Sequence, residues 1–170
     1  KQFAMKISRT ASVFLLAVVL AGMLFATEGA VRQWMPQQLV RHYNIPDRDL
    51  GIIIAPNQNY HDRYGNNYWI KTNSLGFRMA EEPDMDPARR RILVYGDSFT
   101  FGFGVNYEHS YFAGLKRTVE RQIKSLQLLN ASAPGYSSGH VKLQMERHIP
   151  VLKPSAIIYF FNNNDVFDNA

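Results

Sequence analysis

The chain contains no cysteine, which excludes disulfides and thiolate metal sites and leaves the compartment undecided. It has no internal repeat and no low-complexity tract. Charge is sparse, with 19% charged residues against 46% hydrophobic ones, a globular balance rather than the composition of a disordered chain. No acid occurs in the first ten residues, where Lys1, Lys6 and Arg9 carry much of the formal net charge of +5. Elsewhere the two signs are close to balanced, and no basic stripe with interleaved aromatics accompanies the triplet Arg89, Arg90 and Arg91. The triplet reads as a solvated lead-in to a strand, so nucleic acid is not an expected partner.

The most uneven feature is an uncharged apolar run. Residues 11–26, ASVFLLAVVLAGMLFA, span roughly 24 Å as a helix, slightly short of a hydrocarbon core of about 30 Å. Ile7, Ser8 and Thr10 can extend it, with Arg9 snorkelling. Met5 opens a native-looking start, with residues 1–4 as an upstream extension. A cleaved signal peptide has a similar apolar length, but its cleavage rule asks for small residues at −3 and −1. Thr27 and Gly29 flank Glu28, and no A-x-A is present. The expectation is an uncleaved signal anchor over residues 1–27; a cleaved, secreted form is the alternative. Basic residues on the N-terminal flank put that end in the cytoplasm and the rest in the periplasm or outside the cell.

Residues 28–89 read as a juxtamembrane helix followed by a small β-rich appendage. Val31, Trp34, Met35, Leu39 and Val40 have roughly helical spacing, and Pro36 is placed to kink or restart the helix. The stretch NYHDRYGNNYWIK predicts a hairpin turning near Gly65, Asn66 and Asn67, with 68–71 as the returning strand. Its aromatics Tyr60, Tyr64, Tyr68 and Trp69 read as packing of that appendage, with a sugar-stacking platform as the alternative.

From Arg90 to residue 170 the pattern alternates strand and helix. Residues 92–95 form a strand. Ser110 caps a helix with Tyr111, Phe112, Leu115, Val119 and Ile123 on its apolar face. Residues 126–130 form a second strand. Ser137 or Ser138 caps a helix containing Val141, Leu143, Met145 and Ile149, ended by Pro154, and AIIYFF at 156–161 is a continuous apolar strand. Strands separated by single helices predict right-handed crossovers and a parallel α/β sheet.

Three polar segments then fall at the carboxyl ends of three successive strands: Gly96-Asp97-Ser98, NASAPGYSS at 130–138, and NNND at 162–165. In a parallel sheet those ends share one edge, where open α/β folds hold their ligands. A serine esterase needs a nucleophile there and donors aimed at the developing oxyanion. Gly135 can offer an unobstructed N–H and Asn164 a side-chain N–H. Asp97 reads as a hydrogen-bonder that fixes the turn, and a turn serine is the alternative for Ser98. Asp165 and Asp168 lack the companions of a metal site.

Over residues 73–168 these blocks resemble the SGNH/GDSL hydrolases, specifically their membrane-anchored bacterial members. TNSLGFR followed by RILVYGDSFTFGFGV is similar to that subgroup's N-terminal block. The resemblance implies a three-layer α/β/α fold with a parallel sheet in flavodoxin-like order, incomplete at the C-terminus. It also implies Ser98 as nucleophile with its own N–H in the oxyanion hole, Gly135 and Asn164 as the other oxyanion donors, and no cofactor. For the first strand to be flanked by both other blocks, it should lie between the second and third. Asn162 stands where the family has glycine, a position that asparagine can fill in a left-handed conformation. The family's Asp-x-x-His has no counterpart here, since no histidine follows Asn164, and the base is expected outside this sequence. Of His42, His61, His109, His140 and His148, His140 is the one expected near the site, in a surface or helix-capping role.

The function expected is that of a membrane-anchored serine esterase or acyl-transfer enzyme. Its substrate is an acyl or acetyl ester, with an acylated envelope glycan as one candidate. The alternative is a non-catalytic envelope module of the same fold that binds glycan or a protein partner.

Overall fold

A computed structural model describes residues 8–35, 43–62, 67–163 and 165. The chain divides into two compact units, Lys1–Leu39 and Val40–Ala170. The first contains helix α1, Arg9–Trp34, capped by Ser8, whose Oγ accepts from the Ala11 N–H at 3.2 Å. Its 26 residues are long and apolar enough to cross a membrane, a property shared with signal sequences, and none of its side chains is buried. The helix runs past residue 27. Glu28 and Arg32, one turn apart, pair at 2.7 Å and carry it to Trp34 with Met35 as C-cap. Pro36 lies outside the described residues.

The second unit begins with two hairpins where the sequence suggested one. β1, Asn44–Asp47, pairs antiparallel with β2, Gly51–Ile54. Asp47 Oδ1 closes their turn by accepting from the N–H groups of Asp49 and Leu50 at 3.0 and 2.9 Å. Arg147 forks onto Asp47 at 2.8 Å and holds that carboxyl well below the usual carboxylate range. β3, Asn59–Asp62, pairs with β4, Tyr68–Lys71, as expected, although the turn at 63–66, including Tyr64, lies outside the described residues. Tyr43, Leu50, Ile54, Tyr68 and Ile70 pack with Phe101, Ala133 and Tyr136. The hairpins thus share a core with the loops that follow the parallel strands.

Those strands are β5, Arg90–Gly96, β6, Leu126–Asn130, and β7, Ala156–Phe160, joined through α2, Ser98–Phe101, α3, Tyr111–Gln122, and α4, Ser138–Leu152. All are parallel in the order β6-β5-β7, so the first strand is central, as expected. Side chains alternate across β5. Ile92 and Val94 pack with Phe112, Leu115 and Val119 of α3, whereas Leu93 and Tyr95 pack with Val141 and Leu152 of α4. The two helices therefore cover opposite faces. Ser110 Oγ accepts from the Ala113 N–H at 3.2 Å, the cap read from sequence. α4 stops at Leu152, with Lys153 left-handed (φ 46°) ahead of Pro154.

One expectation is corrected. Arg91 is buried, not solvated: its guanidinium donates to the carbonyls of Leu152 at 2.8 Å and Asp84 at 2.6 Å. β7 is apolar but largely uncovered, with Ile157 and Ile158 exposed, whereas β6, the other edge strand, is buried throughout.

His148 is half-buried on the α4 side, edge-on to Phe77 and stacked on Tyr95, whose hydroxyl lies 3.2 Å from Nδ1. Burial, with Arg147 adjacent, pulls its pKa down to about 4. The unfolded chain therefore binds a proton that the folded chain refuses between an ordinary value of about 6.5 and that lower one. This contribution is complete above about pH 6.5 and is lost as pH falls towards about 4. Thermal unfolding across that window should show a decline in midpoint that His148→Gln removes; an identical decline in both proteins would contradict the assignment.

Candidate active site

β5 runs into Gly96, and Asp97 turns the chain into α2 by accepting from the Phe99 N–H at 2.9 Å through Oδ1. Glycine is required at 96: a Cβ there would lie 2.2 Å from Thr100 Oγ1, because α2 folds back over the strand end. Ser98 is the first helical residue, where its N–H has no intrahelical acceptor. It is partly exposed. Gly102 closes α2 in the left-handed conformation (φ 80°), and a Cβ there would meet Arg78 Nη1 at 2.7 Å.

Arg78 fixes this turn from below. It is fully buried and comes from the tight turn of TNSLGFR. In that turn the Asn73 carboxamide oxygen accepts from the N–H groups of Leu75 and Phe77 at 3.0 and 3.1 Å. Gly76 (φ 77°) passes so close to Ile54 that a Cβ would sit 2.3 Å from its carbonyl oxygen. The guanidinium donates to the carbonyls of Phe101 (2.6 Å), Gly102, Val105 and Trp69 (3.3 Å). It also lies over the rings of Phe101 and Tyr68, 4.8 and 5.5 Å from their centroids. Among the described residues no carboxylate hydrogen-bonds it, and burial pulls its pKa down to about 10, still protonated at neutral pH.

The three polar blocks converge on Gly96 and Asp97. The loop after β6 is tied by the Ala133 N–H to the Gly96 carbonyl at 3.2 Å. Asn130, at the end of β6, donates to the Thr100 carbonyl of α2 at 3.1 Å. Gly135 sits in that loop at φ 79° after Pro134, in a turn closed by the Tyr136 N–H on the Ala133 carbonyl at 3.4 Å, an arrangement that suits a type II turn. The loop after β7 is tied by Asn162, whose Nδ2 donates to Asp97 Oδ1 at 2.8 Å. Asn162 does not have the positive φ that its position suggested; its amide is used as a cross-link instead. Asp165 Oδ2 orders this loop by accepting from Asn162 N–H and Tyr159 O–H, both at 2.9 Å. Asn164 and Asp168 lie outside the described residues. Asp97 is the turn-fixing hydrogen-bonder expected, buried, with Oδ2 unpartnered among the described residues.

Ser98 opens on a groove of about 270 Å³ that Phe99, Phe103, Val105, His109 and Tyr111 also line. The histidine that shares this groove is therefore His109, not His140. His140 is the helix cap that was expected: its Nδ1 accepts from the Ser137 N–H at 3.2 Å and lies 2.9 Å from Ser137 Oγ. His109 ends a 3₁₀ turn, Tyr107–His109, that returns past α2. The clue in the sequence was its place next to the Ser110 cap, because a helix that packs on the sheet must start near the strand end. His109 is exposed, and among the described residues no carboxylate orients it.

No known family model matches this chain, and no curated protein matches it. The chemistry of the site rests on its own residues.

If Arg78 holds the turn, Arg78→Lys should lower stability by about 2 kcal/mol or more, since a single ammonium leaves buried carbonyls unsatisfied at roughly 1–3 kcal/mol each. Hydrogen exchange of the amides at 101–105 should accelerate most. Uniform exchange across the unit would argue against a local clamp.

Proposed function

We propose that the chain is a membrane-anchored serine esterase or acyl-transfer protein of the SGNH type. Its nucleophile is Ser98, its domain lies on the outer side of the membrane, and its substrate is an acyl or acetyl ester. The observation that carries this reading is the convergence of three sequence-distant polar loops on the turn that bears Ser98, through Ala133–Gly96 on one side and Asn162–Asp97 on the other. A structural turn does not need polar loops from both neighbouring strands; a carbonyl about to become an oxyanion needs donors from several directions. The central position of β5 and the helices on both faces of the sheet favour the three-layer arrangement of that family.

In this scheme the Ser98 oxygen adds to the ester carbonyl carbon while its proton passes to a base. The oxyanion is held by the Ser98 and Gly135 N–H groups and the Asn164 amide. The tetrahedral intermediate then collapses, expelling the alcohol with a proton and leaving the acyl group on Ser98, from which water releases it as an acid. No base is assigned among the described residues, since His140 is committed to capping and His109 lacks an orienting carboxylate. That same lack is the one observation favouring the second reading, a non-catalytic envelope module.

Hydrolysis of p-nitrophenyl acetate by the purified chain distinguishes the two. The esterase reading expects a slow rate above the blank, because an oxyanion hole retains some catalysis without its base. Ser98→Ala should remove that rate, and Asn164→Ala should reduce it by roughly 100-fold. His140→Ala should leave it unchanged. A rate indifferent to Ser98 and Asn164 would leave the binding module as the reading.

A further inference from the structure

A groove of about 660 Å³ lies apart from Ser98, with Trp69 in its wall and Asn59, Lys71, Asn106, Glu108 and Met79 around it. Trp69 lies between two buried neighbours on β4, Tyr68 and Ile70, yet is itself 48% exposed. Its exposure is not looseness. The backbone N–H of Trp69 donates to Asn106 Oδ1 at 2.8 Å, and its backbone carbonyl accepts from Arg78 Nη2 at 3.3 Å. One indole face rests on His61, its cross-strand partner, with centroids 4.7 Å apart and planes 12° from parallel. The indole thus stands on a fixed strand, stacked on one face and open over much of the rest, so ordering it costs a ligand little further entropy.

The lining selects the ligand class. The wall is mostly apolar, but an acyl chain would leave the Asn59 and Asn106 amides, the Lys71 ammonium and two carboxylates in it unanswered. A polyanion would meet Glu108 and also Glu81, which lines the same groove and pairs with Lys116 at 3.1 Å. A neutral pyranose fits: the C–H groups on its flat face meet the negative face of an aromatic ring, while its hydroxyls reach amide and charged groups in the plane around it. The segment 105–110 contributes to both grooves, with Val105, His109 and Ser110 lining the one at Ser98 and Asn106, Tyr107 and Glu108 lining this one.

We propose that the Trp69 groove is a glycan subsite that stacks one ring of a neutral oligosaccharide on the indole. Binding there stands on its own; the further role of presenting an ester-bearing glycan to Ser98 rests on the esterase reading. The full chain carrying Ser98→Ala, in amine-oxide micelles that have no sugar headgroup, is titrated calorimetrically with cellohexaose and chitohexaose. At least one should bind at a single site, and Trp69→Ala should weaken it by about tenfold. Asn59→Ala, which leaves the indole in place, should weaken it by a smaller factor and so guards against a misfolded Trp69 variant.

The proposal is overturned if neither hexaose binds, or if both variants bind like the parent. A membrane contact would replace it if, in a Trp34→Phe background where Trp69 is the sole indole, emission shifts with phosphatidylglycerol vesicles and with neither hexaose. Failure of Ser98→Ala to alter ester hydrolysis would remove the esterase reading and leave hexaose binding untouched, so the two failures are distinguishable.

Discussion

The candidate site depends on one buried cation. Arg78 sits beneath the turn that carries Ser98 and, among the described residues, is answered by carbonyl dipoles and two aromatic faces rather than by a carboxylate. Such a charge is costly to bury unless its donors are nearly all used. Only a planar fork can reach Phe101, Gly102, Val105 and Trp69 together, so lysine is no substitute. The geometry in turn dictates glycine at 102, where a Cβ would strike the guanidinium. Because one of the four carbonyls belongs to β4 and three to the segment after Ser98, the same group ties the Trp69 hairpin to the Ser98 turn.

Above that clamp the arrangement follows from sheet topology. A central first strand puts the loops after β6 and β7 on either side of Ser98, and each is fastened to the β5 end by a short polar link. Asp97 holds Phe99 N–H and Asn162 Nδ2 through a single oxygen, so the residue beside Ser98 sets both the start of α2 and the position of the third loop. Preorganisation of this sort is what an oxyanion site requires, since donors that must reorient during reaction lose much of their value.

Much of this was legible in the sequence because local rules and tertiary contacts agree there. Ser110 as a cap, the strand at Leu126–Asn130 and the end of α4 before Pro154 all obey short-range chemistry that packing leaves unopposed. The central place of β5 followed from the need to flank Ser98, not from any local signal. What was missed is what local rules cannot carry. The NIPD strand has no alternation, and it pairs because Asp47 closes a turn and Arg147, 100 residues away, holds it. Arg91 looked solvated in a basic triplet but is buried by carbonyls from distant segments. His109 and Arg78 gain their importance from where the chain returns, which no spacing rule states. The strand at 156–160 was read correctly as a strand, but its apolar sequence does not tell that it lies at an edge.

Whether Ser98 is a nucleophile can be asked directly by trapping. The purified chain is incubated with p-nitrophenyl acetate, quenched in acid, digested and mapped by mass spectrometry. With no oriented base among the described residues, deacylation is expected to be slow, so an acetyl group should accumulate on the peptide containing Ser98 and be absent after Ser98→Ala. An acetyl group confined to lysines, or spread over several serines with no preference for Ser98, would contradict the account.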